Sequence, residues 1–437
     1  MSQVSFDIGR VELADLQEYP ARFANRLERA KATRGYALCH CRTDFPRKLV
    51  IRRYGSLFFL AAWLDDCVHH ADGCDFQKKP GTDTPAGPDS LAAIIAGPNG
   101  LNVRLDVSLV QKETASGSQT RDIGSSTRAS RRSAPMLAYL QALWTSGGLT
   151  FWHGTPKLRS WGSVNAMLHS GMGEAATING SPAHDILHVM RRFEQEERFA
   201  INSEFAAFKR RIANDAGVSR RALILGEIAT VADTQFGKKI TLRQHPQQYF
   251  ASMTLVDQAA KKYRHAWRAI GKPTARVVAL LLVERMGEKH LRIVDLAAML
   301  CSSVFLPCDS IHEVAMANRL VAEHRRFEKP IRMADGDEML ADFVLLDTRP
   351  ATHVEIYGMN GLASYEQRKA EKQALRRAQG IPAIEWNVDR ERLNQVVLPS
   401  PVRRARHRGE RVKLNSSGCA TASAAPASEQ FGLASLC

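Results

Sequence analysis

Four cysteines and three histidines fall between positions 39 and 74, and their types suit a metal. Leu38-Cys39-His40-Cys41 comes first, and Cys67-Val-His69-His70-Ala-Asp-Gly-Cys74 closes the stretch. A structural zinc ion takes four thiolate or imidazole ligands, held as close pairs by turns. Cys39 and Cys41 make one pair, tighter than the usual two-residue gap. His70 and Cys74, three residues apart across a glycine-containing turn, make the other. Cys67 and His69 stay open as alternative ligands. Four protein ligands leave no free position, so the expected zinc is structural. The competing reading is buried free thiols beside surface histidines. In a reducing cytoplasm such clustered cysteines read as a metal site before they read as disulfides.

A second set of residues could do hydrolysis. Cleaving a phosphodiester with a hard metal ion needs oxygen ligands converging from adjacent strands and a cation near the attacking water. Asp342 begins one apolar run and Glu355 sits near the end of the next, so a hairpin would bring both carboxylates to one edge of a sheet. Glu313, on the helix before them, can offer a third oxygen. Lys369 and Lys372, on the charged helix that follows, come to the same side, with Tyr365 a turn or two earlier. The plainer alternative has Asp342 capping its strand or pairing with Arg332, and Glu355 facing solvent.

The elements that must position these groups are readable in outline. Between the two cysteine pairs, KLVIRRYG and SLFFLAAWL form a hairpin, as in a zinc ribbon. Met136–Trp144 puts Leu137, Leu140 and Trp144 on one helical face, and a second helix holds Trp161, Val164, Met167 and Leu168. Ser181–Phe208 reads as one or two further helices. Ala222–Ala229, Lys239–Arg243 and Val277–Val283 read as strands, with a long helix around Phe250–Trp267. Ser310 caps the helix SIHEVAMANRLVAEHRRF, with Glu313 completing a capping box. Asp342–Asp347 and Thr352–Tyr357 are strands, Ser364–Gln379 is a helix ended by Gly380, and Ile381–Asn387 is a last strand.

Composition sets the frame. The chain has 437 residues, 44% hydrophobic and 24% charged, which excludes a disordered chain and a small disulfide scaffold. Its apolar runs, Ser56–Leu64 and Val277–Val283, fall far short of the roughly 20 residues of a membrane-spanning helix. The N-terminus has no apolar segment of the secretory kind, so a cytoplasmic location is expected. The formal charge is +15, an attraction for polyanions, of which nucleic acid is the commonest. Residues 112–135 and the tail from Pro399 hold seven of those charges, and the rest are spread out. No phosphate-loop GxxxxGK[ST] and no Ser/His/Asp arrangement is present, and Gly171-Met-Gly173 is too short for a dinucleotide fingerprint.

The C-terminal segment resembles the restriction-endonuclease-like nucleases of the PD-(D/E)-x-K superfamily. The resemblance implies that Asp342 and Glu355 hold magnesium, that a lysine orients or deprotonates the water, and that Glu313 assists. Ala341 stands where that motif has proline, and Tyr357 stands where it has lysine, so Lys369 or Lys372 would be the replacement. The segments LCHCRTDFPRKLVIRR, HHADGC, PCDSIHEVAMANRLVAEHRRFEKP, and ADFVLLDT with HVEIYGM are similar to an uncharacterised bacterial family of plasmids and integrative elements, domain of unknown function 1173.

The expected fold class is therefore α+β or α/β and multidomain. It comprises a zinc-ribbon-like module (1–80), a loop and flexible linker (81–135), a helical domain (136–217) and a mixed α/β connecting region (218–306). A restriction-endonuclease-like mixed sheet flanked by helices (307–398) and a basic disordered tail (399–437) complete it. The expected function is nucleic-acid binding, DNA rather than RNA, by a magnesium-dependent endonuclease or nickase. The alternative is a non-catalytic DNA-binding accessory protein with a degenerate nuclease fold.

Overall fold

Short runs of alternating burial build the N-terminal sheet. In the computed structural model β1 (Gln3–Ser5), β2 (Val11–Glu12), β3 (Tyr36–Cys39), β4 (Arg47–Tyr54) and β5 (Leu57–Ala62) form an antiparallel sheet in the order β2-β1-β3-β4-β5. The expected hairpin is β4–β5, and it lies inside this larger sheet. Helices α1 (Leu13–Glu18) and α2 (Pro20–Thr33) cover one face. Phe23, Ala24, Leu27 and Ala30 recur at helical spacing on α2 and join Val4, Leu49, Ile51 and Leu60 in a separate core.

The structure describes residues 2–63, 66–77, 93–97, 100–112, 133–212, 214–215, 218–287, 290–331, 339–358 and 363–402. The linker from Glu113, Arg332, the basic arm Arg403–Lys413, Cys419 and Cys437 lie outside the described residues. Among the described residues, no helix is long and apolar enough to cross a membrane.

Helices Met136–Ser146 and Trp161–Met172 form where periodicity places them. The region beyond differs from expectation. Leu187–Val189 is a strand, parallel to Ala222–Thr234, because Leu187 and Val189 are buried with His188 between them at period two. His245–Ala251 is also a strand, with Tyr249 and Ala251 inward. The helix begins only at Met253, where Ser252 accepts a hydrogen bond from the Leu255 N–H at 3.2 Å. With Gly237–Leu242, Ala275–Met286, His290–Ser302 and Pro307–Cys308 these strands make a seven-stranded sheet. Its strand Ala275–Met286 is buried over eight consecutive residues, Val277 to Glu284.

The C-terminal sheet takes its first strand from far upstream. β6 (Phe151–His153) pairs with β7 (Arg326–Glu328), then β8 (Phe343–Leu345), β9 (Thr352–Tyr357) and β10 (Ala383–Asn387) follow. Helix α3 (Ile311–Ala322) precedes β7. Helix α4 (Ala363–Ala378) connects β9 to β10, which are parallel and so need a crossover. Gly380, at φ +66°, takes the left-handed conformation that ends α4. Trp152, Phe327, Phe343 and Val354 continue the core that holds Trp144 and the central sheet.

Candidate metal centre and carboxylate site

β3 ends at Cys39, and Cys41 lies just beyond it. The β4–β5 hairpin then returns the chain, and a single 3₁₀ turn, Cys67–His69, leads into His70 and Cys74. The Cys74 N–H donates to the Ala71 carbonyl at 2.9 Å, closing a tight turn, and Gly73 within it sits at φ +81°. The donor atoms of Cys39, Cys41, His70 and Cys74 all lie within 4.8 Å of one another. Cys39 Sγ and Cys74 Sγ are 3.7 Å apart, and His70 Nδ1 is 3.4 Å from Cys41 Sγ and 3.6 Å from Cys74 Sγ.

The Cys39–Cys74, Cys41–His70 and Cys74–His70 spacings are close to the edges of a tetrahedral zinc site. Zinc bonds of about 2.3 Å to sulfur and about 2.0 Å to nitrogen set ligand atoms about 3.8 Å apart for S–S and about 3.5 Å for S–N. The donor set therefore fits a zinc ion. Burial pushes the Cys41 thiol up, and the Ala71 N–H, 3.3 Å from Cys41 Sγ, works against that rise. The hydrogen bond from Cys39 holds the Cys74 thiol down to about 4, and the same contact, with burial, pushes Cys39 up. His70 is buried, and its outer Nε2 has no partner among the described residues. Cys67 and His69 stay in the turn and do not join the converging set.

The strand register sets the two acids of the second site across from each other. Phe343 pairs with Val354 and Val344 with His353, so one step further sets Asp342 directly opposite Glu355. Asp342 Oδ2 accepts a hydrogen bond from the Ile356 N–H at 2.7 Å. Burial raises the Asp342 carboxyl above its ordinary range, Lys329 opposes this, and Glu355 adds to it. Glu355 is 2% exposed. Lys372 Nζ lies 2.9 Å from its Oε2, and Arg376 Nη1 lies 2.8 Å from its Oε1, an ion contact without hydrogen-bond alignment.

The two helix lysines are separated in role. Lys372 reaches Glu355, whereas Lys369 Nζ rests over the Tyr357 ring, 4.2 Å from its centroid, and near Glu366. Tyr357, at the motif's lysine position, places its hydroxyl 3.0 Å from Arg376 Nη2 and 3.2 Å from Glu385 Oε1. Tyr365 packs edge-on against Tyr357.

Glu313 does not join the pair as a third converging ligand. Its Oε2 accepts from the Asp309 N–H at 3.0 Å and meets Lys329 Nζ at 2.8 Å, while Ser310 Oγ accepts from the Glu313 N–H. The box thus closes one residue early, on Asp309. Among the described residues, the thiolate–imidazole set is the one group of three or more such donors that converges.

Lys329 is the group that the spacing argument missed. It is 3% exposed and bridges Glu313 and Asp309. Burial works to discharge it, yet Glu313, Asp309 and Asp342 together raise its affinity for the proton. Its signal was the period of β7: Phe327 is buried, so Lys329, two residues on, also faces inward. Arg376 was legible too, since Tyr365, Lys369, Lys372 and Arg376 share one face of α4.

The chain belongs to the family described as "Protein of unknown function (DUF1173)", which it matches over residues 9–389. No curated protein and no solved structure matches it.

Proposed function

We propose that this is a nucleic-acid-binding protein of mobile genetic elements, and that it acts as a magnesium-dependent DNA endonuclease or nickase of the restriction-endonuclease-like kind. The observation that carries the reading is Asp342 facing Glu355 across two strands, with Lys372 on Glu355. Asp342 and Glu355 would hold the ion. Magnesium, when bound, polarises the phosphate and acidifies a water molecule. Lys372 then supplies the cation beside the attacking water that Tyr357 cannot, and Glu313 acts as a fixed charge through Lys329. The order α3, β7, β8, β9, α4, β10 differs from the helix–strand–strand–helix–strand order read from the sequence only by the extra strand β7, which is compatible with this reading. Zinc at Cys39, Cys41, His70 and Cys74 is structural in this reading, since four protein ligands fill its tetrahedron. The +15 charge draws the chain to DNA in the cytoplasm.

A second reading, a non-catalytic DNA-binding accessory protein, draws on one observation. Both oxygens of Glu355 already face cations, Lys372 and Arg376. The test is cleavage of supercoiled plasmid and duplex oligonucleotides with magnesium, beside Asp342→Asn. Cleavage that the variant loses, with its fold and DNA affinity kept, supports the nuclease. DNA binding without cleavage in the unmutated protein supports the accessory role.

A further inference from the structure

The turn that completes the thiolate–imidazole set also reaches out of the N-terminal sheet. On either side of Cys74 it carries a carboxylate to the C-terminal sheet. Asp72 Oδ2 lies 3.3 Å from Arg326 Nη2, and Asp75 Oδ1 lies 3.5 Å from His153 Nε2. Arg326 and His153 are not independent targets, because they are cross-strand partners in the β7–β6 pair. Gly73, between the two carboxylates, passes so close that a Cβ there would meet Arg326 Nη2 at 3.2 Å. The turn is therefore seated on the edge of β6 and β7 at three successive points.

β7 leads straight to the carboxylate site. Three residues after Arg326 comes Lys329, which holds Glu313 and Asp309. Phe327 pairs with Leu345 of β8, the strand that Asp342 immediately precedes. We propose that the metal turn is a clasp on β6 and β7, so that occupancy of the Cys39–Cys41–His70–Cys74 set controls the order of the strand that carries Lys329. In its consequence for cleavage this rests on the nuclease reading; the clasp itself does not.

The physical reason is that the turn is fixed at both ends by metal ligands, His70 and Cys74. With the ion bound, Asp72 and Asp75 are already ordered when they meet Arg326 and His153. Without it the same contacts must order a loop whose donors no longer share a centre, and partly exposed ion pairs are too weak to do that.

Hydrogen exchange on the full chain tests this, with zinc content measured alongside. Chelating zinc should speed exchange in peptides covering 151–153 and 326–328 by about tenfold or more, with 275–286 unchanged as the internal reference. The double variant Asp72→Ala, Asp75→Ala keeps all four ligands. It should retain its zinc and show the same loosening of β6 and β7. Loosening confined to residues 3–62 on chelation would overturn the clasp, as would a double variant with β6 and β7 fully protected. Equal loss of protection at 275–286, or freshly purified protein without zinc, would overturn it too. Should the zinc-dependent loosening appear in a protein that cuts no DNA, the clasp stands and the nuclease reading falls.

Discussion

The Cys39–Cys41–His70–Cys74 set and the Asp342–Glu355 pair both bring donor atoms together, but they balance charge in opposite ways. Among the described residues no lysine or arginine contacts the four soft donors, so an ion there competes with protons. Around the carboxylates Glu313 meets Lys329, which it shares with Asp309, and Glu355 meets Lys372 and Arg376, while Asp342 is held by a backbone N–H. Convergence without counter-charge makes a closed metal centre. Convergence with counter-charge makes a site that is folded and neutralised before any ion arrives.

The comparison breaks most visibly at the thiolates. Cys39→Ser or Cys74→Ser should abolish zinc retention, about one ion per chain in the parent, and unfold the N-terminal sheet. Structural zinc contributes on the order of 10–16 kcal/mol in small domains, more than the small core around Leu27 and Leu49 can replace. Metal analysis and exchange rates of β3 and β4 read this out. Freshly purified parent protein lacking zinc would end that half of the comparison.

On the other side, Arg376→Met leaves the buried Glu355 with Lys372 alone and takes the cation from the exposed Glu385. Urea denaturation should show a loss of about 3–5 kcal/mol, the usual penalty for breaking a buried ion pair from one side. Lys372 is one-third exposed, so Lys372→Ala should cost much less stability. Its effect belongs to function: cleavage should fall strongly, whereas Lys369→Ala, stacked on Tyr357, should change it little. Equal losses in the two variants would erase the distinction drawn between these lysines.

The smallest expected effect is a pH dependence outside both sites. Asp347 holds the buried Arg325 through paired contacts of 2.9 and 2.7 Å. Burial works to raise its carboxyl, but Arg325 and the Arg326 N–H hold it below the ordinary value of 3.8. A depressed folded value stabilises the fold above 3.8 and is lost as pH falls through the folded value. Asp347→Asn should therefore be less stable than the parent at neutral pH, and the gap should close as acid is added. A constant gap down to low pH would contradict the assignment.

Much of this was legible because it is local. The cysteine pairs flank a hairpin of strong strand formers, and the THVEIY alternation fixed β9 and with it the place of Glu355. What escaped was long-range or short. β1 and β2 have three and two residues, too few to show a period. β6 joins β7 across more than 170 residues of chain, a pairing that no local pattern announces. Lys329 drew no attention in the sequence, because the short period of RFEK shows its inward side only once Phe327 is known to be buried. The helix expected over Phe250–Trp267 forms from Met253 onward, and only its first residues were misplaced, because they obey a period of two and belong to the strand His245–Ala251.

The claim that the carboxylate pair is an ion site is tested most directly by manganese binding, followed by electron paramagnetic resonance on zinc-loaded protein. The account predicts that the parent takes up about one Mn2+ per chain beyond its zinc, and that Asp342→Asn, with zinc and fold intact, takes up none. Equal manganese uptake by parent and variant, or none by either, would contradict it.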